Sequence, residues 1–139
     1  MITAIDTSRT VTYVSRYDAT EPKTKWKIGI LKADESNYIR ERVLSGVAPK
    51  DSLSKVDGKT LIELSRLYLL FGLKGWSDLY KADGSTLIIF ETEEVKIGPL
   101  GMRTVVKQEL LQEIHPAILD ELVEQIGDAN TLTEADAKN

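Results

Sequence analysis

The side chains that could carry out chemistry are few in this chain and do not form a catalytic set. His115 is the only histidine and cysteine is absent, which excludes thiolate nucleophiles, disulfide bonds and the usual histidine and cysteine zinc sites. His115 stands directly before Pro116, which favours a turn or a helix cap because proline disfavours helical backbone at the preceding residue. We therefore expect no catalytic, cofactor-binding or metal-binding residue and interpret the chain as non-enzymatic.

Two groups of acidic residues are the next candidates for chemistry. They are Glu91, Glu93 and Glu94, and Asp120, Glu121 and Glu124. The first group could bind a hard cation, but no EF-hand spacing or phosphate-binding loop accompanies it, so a solvated turn is the favoured interpretation. The second group lies opposite the apolar stripe of a helix at 118–122 and predicts a solvent-exposed face. Neither group has the supporting pocket residues of a glycosidase pair.

Trp76 is the residue for which two roles stay open. The nearby glycines, at positions 72, 75 and 84, are spaced as a helix stop and turns instead of a phosphate cradle. A tryptophan there either seals a loop against a sheet as a core residue, the favoured interpretation, or anchors a protein–protein interface. An apolar residue at a predicted loop tip is also suited to contact with a partner. The protein-interaction candidates are Trp76, Leu100, Met102, Glu121 and Glu124.

The strands that must position these residues are predicted from alternation and β-branched content. A first strand covers 10–14, and a second covers 24–30 with Trp26, Ile28 and Ile30 on one face and lysines on the other. The apolar run 86–90, which follows a turn at Asp83 and Gly84, is the strongest strand signal. Segments 94–97 and 103–106 predict a hairpin whose tip is 98–102.

Two helices are predicted in the middle of the chain. Apolar spacing predicts one over 35–45, with Asp34 as its cap and Gly46 as its stop. The segment 47–58, which contains a proline and several polar residues, predicts a loop.

The second of these helices should be the centre of the core. It is predicted over 59–71, with Asp57 as its cap and Gly72 as its stop. Its apolar side chains, Leu61 and Ile62 among them, form a wide stripe that towards the end of the helix covers nearly all of its circumference, which is typical of a buried element.

A helical region follows at 107–127 and is expected to break at Pro116. Proline cannot continue the helical ladder but is well suited to a first turn, so two helices are predicted, with Pro116 at the start of the second. Residues 129–139 predict a polar tail with Thr131 or Thr133 as a weak cap. The fold class predicted is α+β, a single domain over 1–128 in which about four helices pack on one small antiparallel sheet made of the N-terminal strands and the 86–106 hairpin.

Composition is that of an ordinary globular protein. The chain has 139 residues, 42% of them hydrophobic and 29% charged, enough to bury a core without covalent staples. No apolar run approaches the ~20 residues of a membrane span, and the N-terminus lacks the pattern of a secretory signal. The sequence therefore predicts a cytosolic product without a membrane partner.

Charge is distributed unevenly along the chain. Residues 1–106 carry 16 basic against 14 acidic residues, whereas residues 107–139 carry two basic against eight acidic ones. The first part shows no basic stripe in sequence, and an acidic end repels phosphates. Nucleic-acid binding is therefore disfavoured.

Several short sequences, distributed over nearly the whole chain, resemble in kind and order those of one group of proteins. They are RTVTYVS at 9–15, EPKTKW at 21–26, GLKGWS at 72–77, RTVV at 103–106, EIHP at 113–116, LVEQI at 122–126 and LTEADAKN at 132–139. In these the chain resembles small phage proteins encoded among the head and tail genes, of the kind described as tail assembly chaperone-like. The resemblance implies phage morphogenesis and assigns no catalytic residue or cofactor.

Two roles follow from the resemblance. In the first, the chain is an assembly factor in the host cytoplasm that binds tape-measure or tail-tube subunits and leaves the finished particle. In the second, it is a small structural subunit of the virion, at the capsid surface, the neck or the tail. Both roles act through protein–protein binding, and both allow a homo-oligomer. The first predicts a client contact at the 98–102 tip and the exposed side of the last helix.

Overall fold

The computed structural model describes Met1, residues 6–45 and residues 58–138, with the backbone alone for residues 45 and 132–138. The elements are β1 (Thr10–Val14), β2 (Lys25–Gly29), α1 (Ala33–Ser45), α2 (Gly58–Gly72), β3 (Leu73–Ser77), β4 (Thr92–Lys96), β5 (Met102–Val106), α3 (Gln108–Leu111) and α4 (Pro116–Lys138), with a 3₁₀ turn at Gly98–Leu100. Both sheets and the helices share one hydrophobic core. The predicted α+β class and the packing of four helices with antiparallel strands are confirmed.

The first sheet has three antiparallel strands in the order β1-β2-β3. Trp26 on β2 is opposite Tyr13 on β1 and Trp76 on β3, so an aromatic row crosses the core face. Successive side chains of a strand point to opposite faces, and Lys25 and Lys27 are accordingly exposed on the other face. The two N-terminal strand predictions are confirmed.

Strand β3 corrects the interpretation of its residues as a helix stop and turns. Helix α2 does end at Gly72, but the chain continues directly into β3, where Leu73 and Trp76 are buried. Glycine has low strand propensity, and Gly75 in the middle of the segment obscured the pattern. Pairing with β2 supplies the hydrogen bonds and burial that local sequence does not reveal.

The segment 86–90 is not a strand, contrary to the strongest strand signal. Only one isolated bridge forms there, between Leu87 and Tyr80. Its composition suits a strand, but a strand also requires a neighbouring edge, and no described strand pairs with this segment. The Ile88 carbonyl instead accepts a hydrogen bond from the indole N–H of Trp76 at 2.8 Å.

The predicted hairpin is present, but as a separate two-stranded sheet. Strands β4 and β5 pair from Thr92 opposite Val106 to Lys96 opposite Met102. The connecting loop is therefore 97–101, one residue earlier than predicted, and Met102 belongs to β5. The prediction that this hairpin begins at 86 and extends the N-terminal sheet is wrong in detail, because β4 and β5 pair with each other and not with β1, β2 or β3.

Helix α1 begins earlier than predicted and is capped by another residue. Asp34 lies inside its first turn, and Glu35 Oε1 accepts a hydrogen bond from the Lys32 backbone N–H at 2.9 Å. This is one half of a capping box, with Glu35 at the third helical position. The predicted stop at Gly46, the cap at Asp57 and the loop that joins them lie outside the described residues.

The C-terminal helices break where proline predicts. Pro116 is the first residue of α4, and the His115 side chain caps the turn, since its Nδ1 accepts a hydrogen bond from the Ala117 N–H at 3.0 Å. Helix α4 then continues to Lys138, so residues 129–138 are helical in place of the predicted tail, and no helix starts at Thr131 or Thr133. This stretch contains no glycine or proline that would end a helix.

Helix α4 packs closely on α2. Leu122 and Ile126 of α4 are completely buried. A Cβ atom added at Gly72 would lie only 2.5 Å from Ile126 Cγ2, so the absence of a side chain at Gly72 permits the close approach of the two helices.

Candidate functional site

Trp76 lies in the core, as the favoured interpretation predicted. It is 8% exposed, and its ring meets Trp26 edge to face at 5.7 Å and Phe90 at 4.8 Å between ring centroids. Such aromatic pairs contribute about 0.5–1.5 kcal/mol beyond area burial. Trp76 therefore holds the 86–90 segment against the sheet and presents no surface to a partner in this structure.

The hairpin tip is only partly available. Leu100 is half-buried and packs against the core, whereas Met102 is 60% exposed. Arg103 fixes the hairpin to the start of α1, because its guanidinium donates to Asp34 Oδ2 at 2.6 Å and to Glu35 Oε2 at 3.3 Å. The hydrogen bond from Arg103 lowers the pKa of Asp34. Of the two tip candidates, Met102 alone is accessible.

Glu121 contradicts the prediction of a solvent face. Its side chain is buried between α4 and β1, with Arg16 Nε 3.3 Å from Oε2. No well-aligned hydrogen bond reaches either carboxylate oxygen from the described residues. Burial raises the pKa of Tyr13, and the charge of Glu121 raises it further. Glu124, one turn on, is exposed as predicted.

The acidic group next to β4 has structural partners. Glu93 Oε1 accepts a hydrogen bond from the Gln108 N–H at 2.9 Å and so caps the first turn of α3. Glu91 lies 3.6 Å from Lys107 Nζ in an exposed ion pair. Within the described residues, no group of three histidine, cysteine or acidic side chains is arranged to hold a metal ion.

An exposed apolar groove lies between α2 and α4, and sequence reasoning missed it. Ile62 is 74% exposed and Leu61 52% exposed, although both belong to the helix predicted to be buried. Leu119 and Val123 of α4 lie half-buried beside them, and the groove between the helices has a volume of about 330 Å³. Arg66 and Asp120 lie at its rim.

The lining of the groove is mostly aliphatic and includes a few polar side chains. Arg66 at its rim already has a hydrogen-bond partner, because the guanidinium donates to Gln108 Oε1 at 2.8 and 3.1 Å. Ser65 and Asp120 are the other polar residues of the lining, and the remaining lining residues are aliphatic. A sequence signal was present: apolar residues all round α2 exceed what one core-facing side requires.

A second cavity lies between α1 and α4 and has a volume of about 410 Å³. Leu31, Ile39 and Tyr68 form its apolar wall. Its polar lining residues are Ser36, Arg40, Asn130 and Thr131. The Asn130 side chain has partners within the fold, since its Oδ1 accepts a hydrogen bond from the Leu31 N–H and its Nδ2 donates one to the Ile126 carbonyl. The cavity therefore lies at the contact between the two helices.

No helix among the described residues is long and apolar enough to cross a membrane. Comparison of the chain with protein-family models, with curated proteins and with solved structures gives no match.

Proposed function

We propose that this chain is a non-enzymatic phage morphogenesis protein that acts by binding other proteins, as a tail assembly chaperone-like factor in the host cytoplasm. The resemblance of its short sequences to that group supplies the setting. The groove between α2 and α4 is the observation that supports the protein-binding role, because two packed helices present exposed aliphatic side chains there.

The groove suits an amphipathic helix of a client. The two neighbouring helices α2 and α4 enclose an apolar groove. Grooves of this kind bind an amphipathic helix through apolar residues of that helix spaced three and four positions apart. Ile62 and Leu61 stand out as the contacts that a client would cover. Full burial of such a side chain contributes about 1.5–3 kcal/mol, so burial of the exposed part of Ile62 contributes roughly 1–2 kcal/mol, or about tenfold in affinity.

The clients proposed are structural subunits of the phage. Tape-measure and tail-tube subunits suit a factor that shields apolar surface until assembly, and capsid subunits suit the alternative role. Met102, exposed on β5 at the start of the second hairpin strand, provides a second contact in this proposal. Trp76 is omitted because it is buried.

Capture of co-expressed clients tests the groove. The chain is co-expressed with tagged tape-measure, tail-tube and capsid subunits of the same phage, and the captured amount is compared for Ile62→Asp and Ile89→Asp. Ile89 is a matched control because it is 67% exposed but lies outside the groove. We expect Ile62→Asp to abolish capture and Ile89→Asp to retain it. Equal capture by the two variants, or no capture of any subunit by the unmodified chain, would refute the proposal.

Mass spectrometry of purified particles separates the two roles. A chaperone-like factor is expected to be absent from mature virions. Presence of the chain at a fixed stoichiometry would instead assign it to the virion as a structural subunit.

A further inference from the structure

The outer face of the three-stranded sheet, opposite the core, is basic. Lys25, Lys27 and Lys74 are exposed on it. Lys27 is opposite Thr12 on β1 and Gly75 on β3, so the side chains around the lysines are small. We call the surface formed by Lys25, Lys27 and Lys74 the basic face. It is a feature of the sheet pairing, since Lys74 on β3 is far in the sequence from Lys25 and Lys27 on β2.

Two glycines make the basic face flat. A Cβ atom added at Gly29 would lie 2.6 Å from the Lys74 side chain, and one added at Gly75 would lie 3.4 Å from the Lys27 side chain. The aliphatic stems of these two lysines therefore lie across the glycines, an arrangement in which the stem covers apolar surface while the amine stays at the water boundary. The result is a shallow surface without protruding side chains at its centre.

The charges of the basic face are not neutralised within the described part of the chain. None of the three lysines makes an ion pair there. Desolvation of its packed stem lowers the pKa of Lys74, the nearby charge of Glu35 raises it, and the charge of Lys32 lowers it by a smaller amount. An anionic partner would supply the ion pairs that the described part of the chain does not provide for these lysines.

A complementary surface lies on α4. Asp120, Glu124 and Asp128 are exposed and four residues apart, so they follow one side of the helix. We call these three residues the acidic ridge. Helix α4 packs on the core side of the sheet, where Glu121 approaches Tyr13, so the ridge and the basic face belong to different sides of the molecule and cannot meet within one copy.

The two surfaces match in spacing as well as in charge. Four helical residues rise about 6 Å, and two strand residues advance about 6.7 Å, so Asp120 and Glu124 can stand over Lys25 and Lys27. We propose that copies of this chain associate head to tail, with the acidic ridge of one copy along the basic face of the next. Such a heterologous contact builds a ring or a filament. It goes beyond the proposed function, and the acidic ridge shares only Asp120 with the lining of the α2–α4 groove.

A second copy suits the basic face better than a nucleic acid does. The chain carries a net charge of −4, which opposes the approach of a polyanion. Sheet surfaces that bind single strands present aromatic rings for base stacking, whereas Tyr13 and Trp26 belong to the core face here. A flat, aliphatic-stemmed surface is instead suited to a helix with short acidic side chains.

Sedimentation analysis over a concentration series tests the association in low and high salt, about 50 mM and about 500 mM, which screen exposed charges to different extents. Lys27→Glu and Glu124→Lys each reverse one surface, and Lys96→Glu and Glu94→Lys are matched controls at exposed positions of β4. Circular dichroism checks that every variant is folded. We expect the unmodified chain to associate in low salt, each reversal to weaken association at least tenfold, and a mixture of the two reversed chains to recover it.

Three results would overturn the proposal. One is a chain that stays monomeric in low salt at every concentration. Another is a loss of association that is no greater for the reversals than for the controls. The third is an unmodified monomer that binds a single-stranded oligonucleotide in fluorescence anisotropy and loses that binding with Lys27→Glu, which would assign the basic face to nucleic acid. Since none of these changes touches the α2–α4 groove, the client-capture experiment keeps its own outcome.

Discussion

Substitution of Gly72 by alanine should destabilise the protein although alanine is the better helix former. The added Cβ would lie 2.5 Å from Ile126 Cγ2 and 2.9 Å from both Cγ1 and Cδ1, against an optimal separation of about 3.5–4.0 Å between carbon atoms. Ile126 is completely buried, so it has no room into which to rotate. The close approach of α2 and α4 therefore depends on glycine at this position.

The expected magnitude is a difference of two opposing effects. Overpacking of a filled core costs about 1–3 kcal/mol. Replacement of glycine by alanine in a helix contributes about 0.5–1 kcal/mol in the other direction, through helix propensity and the reduced entropy of the unfolded chain. We expect Gly72→Ala to lower the free energy of unfolding by about 1–2 kcal/mol, which corresponds to a fall in Tm of roughly 4–8 °C for a domain of this size.

Urea unfolding followed by circular dichroism gives the measurement, with Gly127→Ala as the matched control. Gly127 also lies in a helix, but a Cβ atom there would meet nothing within 4 Å, so Gly127→Ala should stabilise by about 0.5–1 kcal/mol. Ile126→Ala removes all three overlapping atoms, and the double variant Gly72→Ala with Ile126→Ala should lose at least about 1 kcal/mol less than the sum of the single losses. Unchanged or increased stability of Gly72→Ala would refute the packing described for α2 and α4.

Three further predictions concern single side chains. Trp76→Ala should lower the free energy of unfolding by about 3–5 kcal/mol. Trp76→Phe should lower it by about 1–2 kcal/mol, since the Ile88 carbonyl loses its hydrogen-bond donor. Loss of partner binding at unchanged Tm would contradict the core role of Trp76. Arg16→Ala should lower the free energy of unfolding, because it leaves the buried Glu121 carboxylate without its ion pair, and a double-mutant cycle should show that Glu121→Gln removes this loss. Hydrogen bonds from Thr86 and Ser85 lower the pKa of Asp83 to about 2. The contribution of ionised Asp83 to stability should therefore be complete above about pH 4 and lost towards pH 2. A midpoint near pH 4 in an NMR titration of the Asp83 carboxyl would contradict this.

Local physical chemistry accounts for the elements that the sequence predicts correctly. Alternation predicts β1 and β2, of which β2 buries one face while β1 covers only Tyr13 in part. Pro116 defines the break between α3 and α4 because its ring removes a hydrogen-bond donor. The stop of α2 at Gly72 and the hairpin around 97–101 follow from glycine and proline in the same way. These signals act within a few residues and need no knowledge of the remaining chain.

The candidate site was less predictable than the fold. Met102 and Glu124 were named from the sequence and are exposed, but Trp76 and Glu121 are buried, and the groove at Leu61 and Ile62 was not foreseen. Exposure depends on which side of an element the neighbouring elements cover. Apolar residues all round α2 cannot reveal which of them stay uncovered.

The sequence by itself determined the α+β class, most element boundaries, the absence of cysteine chemistry and the charge imbalance between the two parts of the chain. Tertiary structure decided that 73–77 is a strand and 86–90 is not, because a strand forms only where another edge accepts its hydrogen bonds. It also decided that Glu121 is buried while Lys25, Lys27 and Lys74 come together on one face. Contacts between residues distant in sequence fix these features, and local propensity contains no information about them.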